Sequence, residues 1–147
     1  MSCFIAARKG FILDTGMTKE HKGCHYGLFS YDENIRFATS FKDYDEAVQY
    51  ITTSGDMIGC YAIFQPYHCG MNNRHREMFF VVNKYGFIYN TGKRRTYYDD
   101  GPLLNVIRTS PSSRLGTSFK TFQEAESCIQ NSLFADEPYV ILVPIFI

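Results

Sequence analysis

Two stretches of this chain carry the residue types that reactions and ligands need. His21-Lys22-Gly23-Cys24-His25, with His68-Cys69 further on, supplies imidazoles and thiols in close pairs, the raw material of a zinc site. Zinc requires four such donors converging at about 2.0–2.3 Å. The spacing contains no Cys-x-x-Cys, and the plainer reading is a polar loop with incidental thiols. The same neighbours make poor nucleophile pairs, because adjacent residues on a strand point to opposite faces. His21, Cys24, His25, His68 and Cys69 therefore stand as weak metal candidates, and no metal or other cofactor is expected.

The second stretch is basic and aromatic. Arg74, His75 and Arg76 precede Lys93, Arg94 and Arg95, and Tyr97 and Tyr98 follow at once. Arginines beside exposed rings grip phosphates and stack on bases or on protein side chains. Arg74, Arg76, Arg94, Arg95, Tyr97 and Tyr98 form the candidate contact patch; the competing reading is a solvated face partly neutralised by Asp99-Asp100. Asp14-Thr15-Gly16 looks like an aspartic-protease triplet. The matching position downstream is Asn90, however, and that mechanism needs two carboxylates sharing a proton, so a turn is the reading adopted. No catalytic residue is assigned.

The elements that must carry these residues occur twice. Gly10-Phe11-Ile12-Leu13-Asp14-Thr15-Gly16 returns as Gly86-Phe87-Ile88-Tyr89-Asn90-Thr91-Gly92, and Thr39-Ser40-Phe41-Lys42 as Thr117-Ser118-Phe119-Lys120. Tyr61, Ile63 and Pro66 match Tyr139, Ile141 and Pro144 at constant spacing. Three blocks in one order read as a tandem duplication. Each copy opens with an apolar run, a glycine turn and a second run (Cys3 to Ala7 then Phe11 to Thr15; Met78 to Val82 then Phe87 to Thr91), the pattern of a β-hairpin closed by Asp-Thr-Gly or Asn-Thr-Gly. More strand follows: Tyr26 to Ser30 and Ile35 to Ser40 in the first copy, Leu103 to Thr109 in the second. Asp43-Tyr44-Asp45-Glu46 and Thr121-Phe122-Gln123-Glu124 are capping boxes that start helices. Their apolar stripes are Tyr44, Ala47, Val48, Ile51 and Phe122, Ala125, Ile129. Cys60 to Tyr67 and Tyr139 to Phe146 close the copies; the latter is apolar on both faces and is expected to be buried at the seam.

The expected fold is α+β: two tandem ββ(β)αβ repeats with pseudo-two-fold symmetry, a mostly antiparallel sheet and one helix packed per repeat. The first repeat spans 1–68, a short polar linker 69–77, and the second repeat 78–147, within one compact unit. At 147 residues such a chain buries roughly 70% of its unfolded surface. Each half alone is near the lower limit for a core, so the halves should share apolar surface. Eleven Tyr and thirteen Phe supply it. Fifteen basic and fifteen acidic residues cancel, which disfavours a strongly basic nucleic-acid binder or an acidic mimic. Five irregularly spaced cysteines and a start lacking a charged leader point to a reduced cytoplasmic protein, and the longest apolar run is too short to cross a membrane as a helix. Cys60 and Cys128 fall on apolar positions, where a thiol packs as a small hydrophobe.

A hairpin with a Gly-Phe turn, a segment ending in Ser-Phe, a Glu-Ala helix and a closing strand resembles small accessory proteins encoded by bacteriophages. The resemblance covers both copies and carries no catalytic or binding residue with it. It implies a non-enzymatic protein of the host cytoplasm that binds or inhibits a host protein, or captures a small anionic ligand, in host takeover or anti-defence. A groove at the seam between copies is the natural place for a pocket. The alternatives are a nucleic-acid-binding module using Arg74, Arg76, Arg94 and Arg95, whose affinity would fall steeply with salt, and a small zinc- or thiol-dependent enzyme. No membrane partner is expected, and edge strands leave pairing between copies of the chain open.

Overall fold

The computed structural model describes residues 2–54, 59–68 and 77–146. Eight strands form one antiparallel sheet. They are β1 (Phe4–Ala7), β2 (Gly10–His21), β3 (Cys24–Asp32), β4 (Tyr61–Pro66), β5 (Phe80–Asn83), β6 (Gly86–Thr96), β7 (Leu103–Ser110) and β8 (Val140–Phe146). Their order across the sheet is β3-β2-β1-β4-β8-β5-β6-β7. Helices α1 (Tyr44–Ser54) and α2 (Phe122–Gln130) complete an α+β fold. The doubly apolar C-terminal segment takes the central place expected of it: β8 pairs with β4 on one side and β5 on the other. In the β4–β8 ladder Phe64 faces Pro144, Gln65 faces Val143 and Pro66 faces Leu142. Each proline lies beyond the last ladder pair on its strand's other flank, Phe4–Phe64 or Phe80–Leu142, so neither removes a bond from that ladder.

Strand alternation divides the apolar residues between two faces. On one face, Ile5, Ala7, Ile12 and Ile63 pack under Ala47 and Ile51 of α1, while Val81, Ile88, Ile141 and Val143 pack under Ala125, Cys128 and Ile129 of α2. The other face carries a single cluster drawn from both halves, built on Phe11, Phe64, Phe80, Phe87 and Leu142. β2 and β6 are five strand spacings apart, about 24 Å in a flat sheet. Yet the rings of Phe11 and Phe87 stack with centroids 5.3 Å apart. The sheet is therefore rolled into a half-barrel, and its concave side is filled with aromatic rings.

Both helices start as their sequences dictate. Asp43 Oδ1 accepts from Glu46 N at 2.9 Å, and Thr121 Oγ1 accepts from Glu124 N at 3.0 Å. The two glutamates reach back to the backbone N–H one residue before the cap, Lys42 and Lys120. The α1 stripe differs from expectation at Tyr44, the helix's first residue, which is exposed.

Two local readings need correction. Asp14-Thr15-Gly16 and Asn90-Thr91-Gly92 do not end a strand: β2 and β6 run on through them, with a register shift in each ladder. Gly16 (φ +75°) and Gly92 (φ +78°) take a left-handed kink, and Asp14 Oδ1 and Asn90 Oδ1 accept their N–H groups. Thr15 and Thr91 then donate across to the carbonyls of Leu28 and Val106, which keeps the next strand alongside. These are bulges. Ile35 to Ser40 is likewise not a strand. Asn34 Oδ1 accepts from Arg36 N and caps a 3₁₀ turn over Ile35–Phe37, and Ile35 and Ala38 cover the concave cluster. Ser112 caps a matching 3₁₀ turn over Ser113–Leu115.

Candidate functional site

Of the sequence-selected patch, the described members are Arg94, Arg95, Tyr97 and Tyr98, and they do not all share one face. Arg94 and Arg95 lie near the far end of β6, opposite Asn105 and Leu104, and as neighbours on a strand they point to opposite faces. Arg95 lies over the Tyr97 ring at 5.5 Å, and Tyr98 is exposed to solvent. Arg94 instead turns toward α2, beside Asn105, Gln123 and Glu124. Arg74 and Arg76 lie outside the described residues, as does the linker from 69 to 76. What stands at this tip is an exposed basic hairpin end.

The described imidazole and thiol candidates lie on separate elements. Cys24 and His25 sit at the tip of the β2–β3 hairpin, exposed and on adjacent positions, and His68 is exposed beyond the end of β4. The His21 side chain and Cys69 lie outside the described residues. Among the described residues, no group of three or more His, Cys, Asp or Glu side chains gathers to hold a metal ion.

The described thiols fall into two classes. Cys128 is buried under α2 as expected, but Cys60 is exposed, because β4 begins only at Tyr61. Burial raises the pKa of the Cys3 and Cys128 thiols and withholds the reactive thiolate. Iodoacetamide is therefore expected to alkylate Cys24 and Cys60 in the folded protein and to reach Cys3 and Cys128 only after denaturation. Peptide mapping by mass spectrometry reads the order; alkylation of Cys128 as fast as Cys24 would mean that α2 does not seal its underside.

Among the described residues, two concavities lie where the two halves meet. The larger, of about 680 Å³, is walled by Asn34, Ile35 and Arg36 of the first half and by Val82, Asn83, Lys84, Tyr139 and Val140 of the second, over Phe4 and Pro66. The smaller, of about 520 Å³, is walled by Ser112, Ser113 and Arg114 of the second half and by Ala6, Ala7, Arg8, Tyr61 and Ala62 of the first. In each, a 3₁₀ turn from one half faces the hairpin turn and closing strand of the other. The 3₁₀ segments are held in place by Thr39 N–H on the Ile12 carbonyl (3.1 Å) and Thr117 N–H on the Ile88 carbonyl (2.9 Å). The Thr39 and Thr117 hydroxyls accept in turn from Asp14 N and Asn90 N.

The two linings share an electrostatic character. Together they contain Arg8, Lys9, Arg36, Lys84 and Arg114 and no carboxylate, in a chain whose charges otherwise cancel. Lys84 Nζ lies 3.7 Å from a Glu137 oxygen outside the lining and 5.0 Å from the Tyr85 ring centroid. Tyr85 first, and the Glu137 carboxylate second, hold its pKa above the ordinary lysine value, so it is a full cation at neutral pH.

The larger cleft has one further feature. Asn83 lines this cleft and is only 3% exposed; its amide oxygen accepts from Tyr85 N at 2.9 Å, and its amide nitrogen is the side chain's donor. That nitrogen has no hydrogen-bond partner. A buried donor in this state costs about 1–3 kcal/mol. Ala7 occupies the corresponding place in the smaller cleft.

These residues escaped the sequence reading although a signal existed. A cation precedes the glycine turn in both halves (Arg8, Lys84), and another follows the third strand in both (Arg36, Arg114). No protein family, curated protein or solved structure matches the chain.

Proposed function

We propose that this is a non-enzymatic binding protein made of two copies of one unit, clasped about an approximate two-fold axis near Gln65 and Val143, and that it captures small anionic ligands in the two clefts at the seam. What supports the copying is the agreement of sequence blocks, element order and hydrogen bonds between halves, together with a strand order that reads alike from either edge. In the seam ladder, Phe64–Pro144 and Pro66–Leu142 exchange places under such an axis. The observation that carries the binding reading is the pair of clefts built from exchanged parts and lined by cations without carboxylates. The larger cleft has a volume typical of small-molecule sites. It offers hydrogen-bond donors and apolar surface, the makings of a capture site. In the host-directed setting that the bacteriophage resemblance implies, capture would withdraw a small anion from host chemistry.

Titrating the ¹⁵N-labelled protein with a panel of small organic anions tests this. Chemical-shift changes are expected at residues 34–40, 82–84 and 138–140, at the counterpart residues 112–114, 6–9 and 60–62, or at both sets. Changes confined to Lys93 through Tyr98 would move the site to the basic hairpin tip, and no change with any anion would end the proposal.

A further inference from the structure

Within the seam-binding reading, on which this rests, we infer that the larger cleft takes an amphipathic monoanion, its charged head at Arg36, Lys84 and Asn83 and its apolar body along Phe4, Ile35 and Val140. Three independent features converge on that chemistry. First, the floor is hydrocarbon: Phe4, Ile35 and Val140 are half-buried and pack against the concave aromatic cluster, leaving one side for a guest. A fully solvated ion such as inorganic phosphate has no use for that surface, whereas a molecule with an apolar tail gains by covering it.

Second, the head-binding groups are donors. Lys84 and Arg36 enter from different halves, and Arg36 has no ion-pair partner among the described residues. Third, the Asn83 amide is oriented by the chain itself. The Tyr85 N–H engages its oxygen, whereas its amide nitrogen lacks any partner inside the protein, so the unsatisfied group of this side chain is a donor. A group that accepts hydrogen bonds and carries negative charge satisfies all three donors; a neutral alcohol satisfies them weakly, and a cation opposes two of them. The smaller cleft has Ala7 in place of Asn83 and Ser113 in place of Ile35, so the same selectivity is not built there.

The chain contains no tryptophan, so Tyr139→Trp places a single fluorescent reporter at the cleft wall. The full-length variant is titrated with decanoate, decyl sulfate, decanol and decyltrimethylammonium, all below their micellar concentrations. Decanoate or decyl sulfate is expected to bind at least tenfold tighter than decanol, and the cation not at all. Asn83→Asp, which keeps the acceptor for Tyr85 N–H while reversing the head-group preference, is expected to weaken the anion at least tenfold, as is Arg36→Gln combined with Lys84→Gln. Should a reporter or variant fail to fold, ¹⁵N spectra of the wild-type protein with the same four amphiphiles read the ranking directly. Decanol binding as tightly as decanoate, with shifts still at the cleft, would overturn the head-group assignment and leave the seam reading standing. If none of the four perturbs the cleft while other organic anions perturb either cleft, the amphiphile falls alone; if no anion perturbs either, both fall.

Discussion

Replacing Phe11 with alanine is expected to lower the folding free energy by about 3–5 kcal/mol, a fall in Tm of roughly 10–15 °C for a domain of this size. Phe11 is wholly buried and lies on β2, whereas its stacking partner Phe87 lies on β6, five strands away across the sheet. Nothing in the hydrogen-bonded ladder brings those strands together. The contact exists only because the sheet rolls until its concave side closes on these rings. Phe87 also meets Phe64 and Phe80 at centroid distances of 5.4 and 6.0 Å, so Phe87→Ala should cost at least as much. The two changes should not be additive. Once one ring is gone its partner has already lost the stack, and the double variant should fall short of the sum by about 0.5–1.5 kcal/mol. Chemical denaturation of the four proteins measures this. A Phe11→Ala cost below about 1 kcal/mol would mean that the halves are not joined through this aromatic interior.

That interior explains how far the sequence could be read. The helices were legible because their signals are local: the caps at Asp43 and Thr121 lie three residues from the N–H groups they satisfy. The central place of β8 was legible because a strand apolar on both faces has nowhere else to go. Asp14-Thr15-Gly16 misled, since an Asx turn with a left-handed glycine serves a bulge as well as a strand end. The choice is made by Leu28 on β3, whose carbonyl receives the Thr15 hydroxyl. Ile35 to Ser40 misled for a similar reason: Ile35 and Ala38 cover the concave cluster, a surface that exists only after the sheet has rolled. The clefts belong to the same class. Arg36 and Lys84 stand 48 positions apart in the chain, and only the β4–β8 junction and the roll bring the 3₁₀ turn of one half against the hairpin of the other. Arg94 and Arg95 drew attention by adjacency, which on a strand separates two side chains instead of joining them.

The glycine turns give the second large effect. Gly86→Ala is expected to cost about 3–5 kcal/mol, from left-handed strain together with overpacking. Gly86 holds φ at +119°, and a Cβ there would run into the Ser110 backbone carbonyl. Gly10 repeats the arrangement, with φ at +140° and a Cβ placed 2.8 Å from the Asp32 carbonyl oxygen. In both cases the obstacle is backbone on the neighbouring strand, β7 or β3, and it cannot swing away as a side chain would. Gly92 separates the two contributions. Its φ is +78°, but a Cβ at that position would meet nothing within 4 Å, so Gly92→Ala should show backbone strain alone, about 1–2 kcal/mol. Thermal melts of Gly86→Ala, Gly10→Ala and Gly92→Ala decide the matter, and equal costs at positions 86 and 92 would refute the steric account. The consequence reaches the ligand site as well. Gly86 pairs with Asn83 at the end of the β5–β6 hairpin, so forcing β6 away from β7 moves the turn that carries Asn83 and Lys84. A Gly86→Ala protein that still folds should therefore lose anion binding at the larger cleft, while Gly92→Ala, in the bulge farther along β6, should retain it.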